Sequence, residues 1–221
     1  MIIVGDIGNT ETKILLINKN NRILKKIHLD TSMINSNTIK KSISTFNIKN
    51  NPIEKILFCS VVPKTFKIIK LILEKKYMLK CYELKNLNLS RLIKIKVNYK
   101  QIGSDRLANA ISIINNKDNF IVLDFGTATT FDVVIKNTYY GGVIAPGVKL
   151  SLETLTKKAT LIPNINLKKI TKVIGSNTIN AVRSGFFWGY TGLIDNIINL
   201  IKKETNKSFK IILTGGFSNL F

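Results

Sequence analysis

The stretch Val4-Gly5-Asp6-Ile7-Gly8-Asn9-Thr10-Glu11-Thr12 returns 118 residues later as Val122-Leu123-Asp124-Phe125-Gly126-Thr127-Ala128-Thr129-Thr130. The pairs Ile3/Ile121, Val4/Val122, Asp6/Asp124, Gly8/Gly126, Thr12/Thr130 and Ile17/Ile135 are identical. Each copy reads as an apolar strand, a tight turn carrying Asp-x-Gly, and a second apolar strand. One such hairpin in each half implies a duplicated fold whose two turns hold nucleotide phosphates, and an internal repeat of this kind settles an architecture early.

The first copy has the chemistry for that task. A turn built on Gly8 lets backbone N–H groups approach an anion without a side chain in the way. Thr10 and Thr12 add hydroxyls, Lys13 adds a point charge for phosphate oxygens, and Asp6 at the end of its strand is placed to hold Mg²⁺ directly or through water. The bland alternative is an ordinary hairpin with an Asx-type turn; the second copy, at Asp124 and Thr127, weighs against it. The chain contains no Gly-x-x-x-x-Gly-Lys-[Ser/Thr], no Gly-x-Gly-x-x-Gly and no His-Arg-Asp triplet, so a nucleotide held here uses neither a P-loop nor a Rossmann turn.

A second constellation is Tyr99 followed by Gly103-Ser104-Asp105-Arg106 at the start of a helical pattern. Phosphoryl transfer to an alcohol needs a carboxylate to accept the hydroxyl proton and cations to position both partners. Asp105 suits the first task and Arg106, with its planar fork, suits the grip on an acidic substrate. Ser104 or Asp105 also suits a helix cap, and these four residues alone leave both readings open. Further along stand Gly141-Gly142-Val143-Ile144-Ala145-Pro146-Gly147, a glycine-rich entry to a helix, and Gly175 to Gly185, which contains Thr178 and the small residues Ala181 and Gly185. Phe186, Phe187 and Trp188 then read as core or subunit packing.

Periodicity places strands at 1–6, 11–18, 22–30, 56–62, 78–84, 92–99, 119–124, 129–136, 139–145 and 210–214, and helices at 38–46, 64–76, 104–116, 148–158 and 177–204. Strands followed by helices in each half give an α/β class, with lobes at 1–117 and 118–221 joined at a polar turn near Asn116-Lys117-Asp118-Asn119. The chain has 221 residues, 45% of them hydrophobic, enough for two small cores. No run of 18 apolar residues marks a membrane span, and the N-terminus lacks the basic flank of a signal peptide. Cys59 and Cys81 fit no metal or redox spacing and read as buried free thiols of a reducing cytoplasm. The net charge of +21 rests on 34 basic residues of which only Arg22, Arg91, Arg106 and Arg183 are arginine. Scattered lysines do not read as a nucleic-acid surface, because base reading and bidentate phosphate clamping favour guanidinium.

Taken together, the segments Asp6–Lys13, Gly103–Arg106, Asp124–Asp132, Gly142–Gly147 and that around Thr178 resemble type III pantothenate kinase, a branch of the acetate-and-sugar-kinase and actin superfamily. The resemblance spans nearly the whole chain. It implies a duplicated ribonuclease H-like (actin-like ATPase) fold, two lobes with mixed sheets flanked by helices and a cleft between them. It further implies ATP-dependent phosphorylation of pantothenate to 4′-phosphopantothenate, the opening step of coenzyme A synthesis, in the cytoplasm. ATP would meet Asp6, Ile7, Gly8, Asn9, Thr10, Glu11, Thr12, Lys13 and Thr127. Asp105 would be the proton acceptor. Pantothenate would meet Tyr99, Gly103, Ser104, Asp105, Arg106 and Thr178, the last from the second subunit of a homodimer whose contact includes the aromatic helix at 186–198. Asp124 would hold a monovalent cation, K⁺ or NH₄⁺, and Mg²⁺ would accompany ATP at Asp6. Members of the family usually continue beyond the Thr214-Gly215-Gly216 turn by a few dozen residues, so the second lobe is expected to be shortened. A non-catalytic accessory relative of the same fold is the alternative; it predicts loss of Asp6, Asp105 or Asp124, and all three are present.

Overall fold

A computed structural model describes residues 1–46 and 52–221. The chain divides into two compact units, one formed by Met1–Leu92 with Asn98–Ser112, the other by Ile93–Val97 with Ile113–Phe221.

The first unit is built on β1 (Ile2–Ile7), β2 (Glu11–Ile17), β3 (Ile23–Asp30), β4 (Lys55–Ser60) and β5 (Cys81–Glu83), in the order β3-β2-β1-β4-β5. β1 runs antiparallel to β2, with Asp6 opposite Lys13, and parallel to β4, with Asp6 beside Cys59. Alternation along β2 sends Thr12, Ile14 and Leu16 inward, as a half-buried strand requires. Ile3, Ile7, Ile56 and Phe58 join them on one sheet face, which packs with Ile39 and Ile43 of α1 (Ser36–Ser44) and Ile69 and Leu73 of α2 (Pro63–Tyr77). Local chemistry fixes the helix ends. Asn35 and Thr38 form a reciprocal capping box at α1, and Pro63 opens α2, where its missing N–H costs nothing. The unit ends on α3 (Ser104–Ile113).

The second unit repeats the plan. Its strands are β6 (Lys94–Ile95), β7 (Asn119–Phe125), β8 (Ala128–Ile135), β9 (Thr138–Pro146) and β10 (Lys210–Gly215), ordered β10-β7-β8-β9-β6. β7 is antiparallel to β8 and parallel to β10, as β1 is to β2 and β4. The stretch β9-β8-β7-β10 therefore corresponds to β3-β2-β1-β4, and the repeat read in the sequence is a repeat of topology. Ile121, Leu123, Phe125, Phe131, Val133 and Ile135 pack with Ile194, Ile198 and Ile201 of α5 (Thr178–Thr205), while α4 (Val148–Lys158) contributes Val148.

Two expected strands are shorter than their patterns. Met78 adopts a left-handed conformation and its N–H closes α2 on the Glu74 carbonyl, so the strand expected at 78–84 is confined to Cys81–Glu83. Of the segment 92–99 only Lys94 and Ile95 pair, and they pair with Thr138 and Tyr139 of β9. Lys94 N–H donates to Asn137 O at 2.9 Å and Lys96 N–H to Tyr139 O at 3.0 Å. Residues 93–97 thus belong to the second unit, which departs from a single division between 117 and 118.

Packing at Gly5 allows a direct check. A Cβ there would overlap the fully buried Phe58 ring on the neighbouring strand. Gly5→Ala is expected to destabilise the protein by about 1–3 kcal/mol, the usual cost of overpacking a filled core, measured as a lowered urea midpoint with unchanged slope.

Candidate active site

In the first unit the β1–β2 turn closes with Gly8 N–H donating to Glu11 O at 2.9 Å. The turn is braced from below. Thr31, just after β3, donates its hydroxyl to Gly8 O at 2.8 Å, and the Thr12 and Thr31 hydroxyl oxygens lie 2.9 Å apart. A hydroxyl has one proton; Thr31 gives its own to Gly8, so Thr12 is the donor to Thr31. Thr31 N–H also bonds Thr10 O at 2.9 Å. Thr12 is fully buried, and its hydroxyl, expected to meet phosphate, points into this brace. Ile7 is likewise a core side chain, leaving only its backbone to meet a ligand. Asn9, Thr10 and Glu11 are exposed and Gly8 and Lys13 half-buried, with the Lys13 ammonium 3.8 Å from the Glu11 carboxylate.

Asp6 ends β1 beside β4, where Cys59 donates its S–H to Asp6 Oδ1 at 3.4 Å. Burial pushes the Cys59 thiol well above its ordinary range, and the Asp6 and Asp105 carboxylates push it further. Asp6 and Cys59 thus meet near the ends of the paired strands β1 and β4. A cavity of about 440 Å³ opens there, lined by Val4, Asp6, Lys13, Leu57, Cys59 and Ile111 among others.

The Tyr99–Arg106 segment enters α3 through a set of local bonds. Tyr99 donates its hydroxyl to Lys85 O at 2.6 Å, and burial together with the Glu83 charge raises its pKa, which keeps that proton in place. Ser104, buried, bonds the Glu83 carboxylate, so its side chain is not free to cap the helix. Asp105 lies half-buried in the first turn, with Arg106 N–H on its Oδ1 at 2.8 Å; a carboxylate there is favoured by the helix dipole. Gly103 O accepts from Leu107 N–H.

Asp124, Thr127 and Thr178 belong to the second unit. Asp124 lies opposite Thr130 and beside Thr214 of β10. Gly126 N–H donates to Ala128 O at 3.0 Å, closing this turn one residue sooner than the Gly8 bond to Glu11 O closes the first. The glycine-rich entry to α4 has a steric reason: a Cβ on Gly147 would overlap the Thr127 carbonyl. Thr178 is exposed in the first turn of α5, behind the Asn177 cap. Asp132, which closes the second motif and to which the sequence assigned no role, is fully buried in β8 and accepts from Tyr139 OH at 2.7 Å. Among the described residues no group of three or more His, Cys, Asp or Glu forms a metal cluster, and no helix is long and apolar enough to cross a membrane.

The sequence profile of type III pantothenate kinase matches residues 2–200. The chain belongs to the type III pantothenate kinase family. A type III pantothenate kinase of Pelagibacter ubique is 72% identical over 221 residues, covering 100% of this chain and 89% of that one. Two solved structures share the fold. One is a conserved putative Baf family transcriptional activator from Campylobacter jejuni, with TM-score 0.56 and 21% identity over 99% of this chain and 85% of that one. The other is a putative 2-dehydro-3-deoxygalactonokinase from Sinorhizobium meliloti, with TM-score 0.53 and 7% identity over 100% and 95%. Kinase-family membership and the doubled sheet agree: the chain is a phosphotransferase of actin-like architecture.

Two measurements check this geometry. Thr31→Val strands the Gly8 carbonyl and the Thr12 hydroxyl, and an expected loss of about 1–3 kcal/mol is read by chemical denaturation. The thiols are also protected. Cys81 is pushed up to about 12 by burial and Cys59 higher, so both should resist iodoacetamide at pH 8 in the native protein and react in urea, as mass spectrometry would show. Since the native thiols keep protons that the unfolded chain loses above about pH 8.5, their contribution to stability is complete below that pH and declines above it.

Proposed function

We propose that the chain transfers the γ-phosphoryl group of ATP to the primary hydroxyl of pantothenate, giving 4′-phosphopantothenate and ADP. One observation supports this most: in a member of this family, Asp105 stands half-buried in the first turn of α3, in the same unit as the Asp6 turn. Asp105 accepts the hydroxyl proton as the oxygen attacks phosphorus, and the bond to the ADP oxygen breaks. The backbone of Ile7–Glu11 with Lys13, and Thr127 of the second turn, contact ATP, while Thr12 supports the turn from inside. Tyr99, Gly103, Ser104 and Arg106 form the acceptor loop, with the Arg106 guanidinium toward the vitamin's carboxylate.

Asp6 and Asp124 are hard oxygen donors at equivalent strand ends, which suits Mg²⁺ with ATP at the first and K⁺ or NH₄⁺ at the second. Such cations neutralise phosphate charge when bound. The active form is a homodimer in which Thr178 of a second copy completes the acceptor site. It works in the cytoplasm, where ATP is supplied and the free thiols Cys59 and Cys81 stay reduced.

The test is purified protein with ATP, Mg²⁺, K⁺ and pantothenate, followed by mass for phosphopantothenate. Asp105→Asn is expected to keep the fold and ATP binding while lowering kcat by about 10²–10⁴. Undiminished turnover in that variant removes Asp105 from the proton-acceptor role.

A further inference from the structure

The segment that follows β5 holds the acceptor loop at several points, and one side chain accounts for most of them. The Lys85 ammonium donates to Ile102 O at 2.6 Å and to Lys100 O at 2.8 Å. The Tyr99 hydroxyl returns to the Lys85 carbonyl at 2.6 Å, and the Lys85 nitrogen lies 5.8 Å from the Tyr99 ring centroid, within the range of a cation–π contact. Two residues earlier, Glu83 takes the Ser104 hydroxyl. Residues 99–104 are thereby fastened at both ends to the short segment 83–85.

This arrangement differs from a surface lysine pairing with an acid. The two carbonyls belong to the loop that immediately precedes Gly103 and Asp105. Lys85 is half-buried; its bond to Lys100 O is exposed and that to Ile102 O part-buried, and a hydrogen bond from a charged donor to a partly buried carbonyl is worth more than a neutral one. Ile102, whose carbonyl receives the shorter bond, is itself buried, which fixes the loop on its inner side. With both carbonyls anchored, the first turn of α3, and Asp105 with it, begins from a defined point.

We propose that Lys85 is a positioning residue: its ammonium, bonded to Lys100 O and Ile102 O, sets the acceptor loop so that Tyr99 and Asp105 meet the alcohol substrate in reactive geometry. This rests on the assignment of that loop to the acceptor. The Lys85 ammonium is engaged by those two carbonyls and is not among the groups assigned to ATP. Its loss therefore falls on the alcohol side of the reaction, because displacing a reacting group by about 1 Å costs on the order of 100-fold in rate.

The experiment uses the full 221-residue chain as wild type, Lys85→Met and Lys85→Arg. Kinetics with ATP and pantothenate are combined with amide hydrogen exchange over residues 99–104. For Lys85→Met the expected result is a fall in kcat/KM for pantothenate of about 10- to 100-fold. The KM for ATP is retained, and exchange is faster at 99–104 while that of β1 and β2 is unchanged. Lys85→Arg, which keeps charge and donors, should recover most of both. Equal loss on the ATP and pantothenate sides, or wild-type kinetics in Lys85→Met, overturns the proposal. If Lys85→Met does not fold, Lys85→Arg decides it: unrestored protection at 99–104 in that variant counts against the carbonyl bonds. A wild-type chain that makes no phosphopantothenate overturns the acceptor reading alone, and exchange at 99–104 then decides the role of Lys85.

Discussion

The parallel pairing of β1 with β4 is the constraint from which the rest of the first unit follows. Because the two strands run the same way, they end at the same edge of the sheet, and what each carries there is brought together without any long-range design. β1 delivers Asp6 and the start of a tight turn, β4 delivers Cys59, and α2 begins at Pro63, shortly after β4 ends at Ser60. Open sheets place their ligands at the carboxyl ends of parallel strands for this reason. The pairing of β7 with β10 repeats the device, with Asp124 beside Thr214. Each unit thus presents a strand edge and a turn narrow enough to approach an anion.

Much of this was legible in the sequence because it rests on local pattern. The shared Asp-x-Gly spacing exposed the duplication, and the Ile194, Ile198 and Ile201 stripe placed the buried face of α5. The inward direction of Thr12 was legible too, since Thr12, Ile14 and Leu16 share one face by period two; its hydroxyl suggested a ligand contact that its parity opposes. Its partner Thr31 was not legible. The two lie 19 residues apart, and a threonine at a strand end carries no mark of the carbonyl it will meet. The role of Asp132 was hidden for a related reason: it sits in a run of apolar residues, and only the register of β8 with β9 reveals the tyrosine that donates to it. Two-residue β6 lies below what any periodicity can detect.

The excess of cations changes how lysines are used inside this protein. With 34 lysines and arginines against 13 acids, carboxylate partners are scarce. Some ammonium groups bond main-chain carbonyls instead, as Lys76 does at Ile43 and Lys85 at Lys100 and Ile102. Exposed lysine–acid pairs such as Lys149 with Glu153 contribute little each. A carbonyl does not titrate as a carboxylate does, so these contacts, one joining α2 to α1 and the other the segment after β5 to the acceptor loop, do not depend on the ionisation of an acid.

The brief excursion of residues 93–97 into the second sheet has a consequence for how the protein can be taken apart. The chain enters the second unit at Ile93, goes back to the first at Asn98, and leaves for good after Ser112. No single cut in the polypeptide yields two whole halves: severing it before Ile93 strips the first of α3, and severing it after Ser112 robs the second of its edge strand. Each unit is therefore assembled from two separate stretches of chain, and a contiguous fragment carries neither one whole without part of the other.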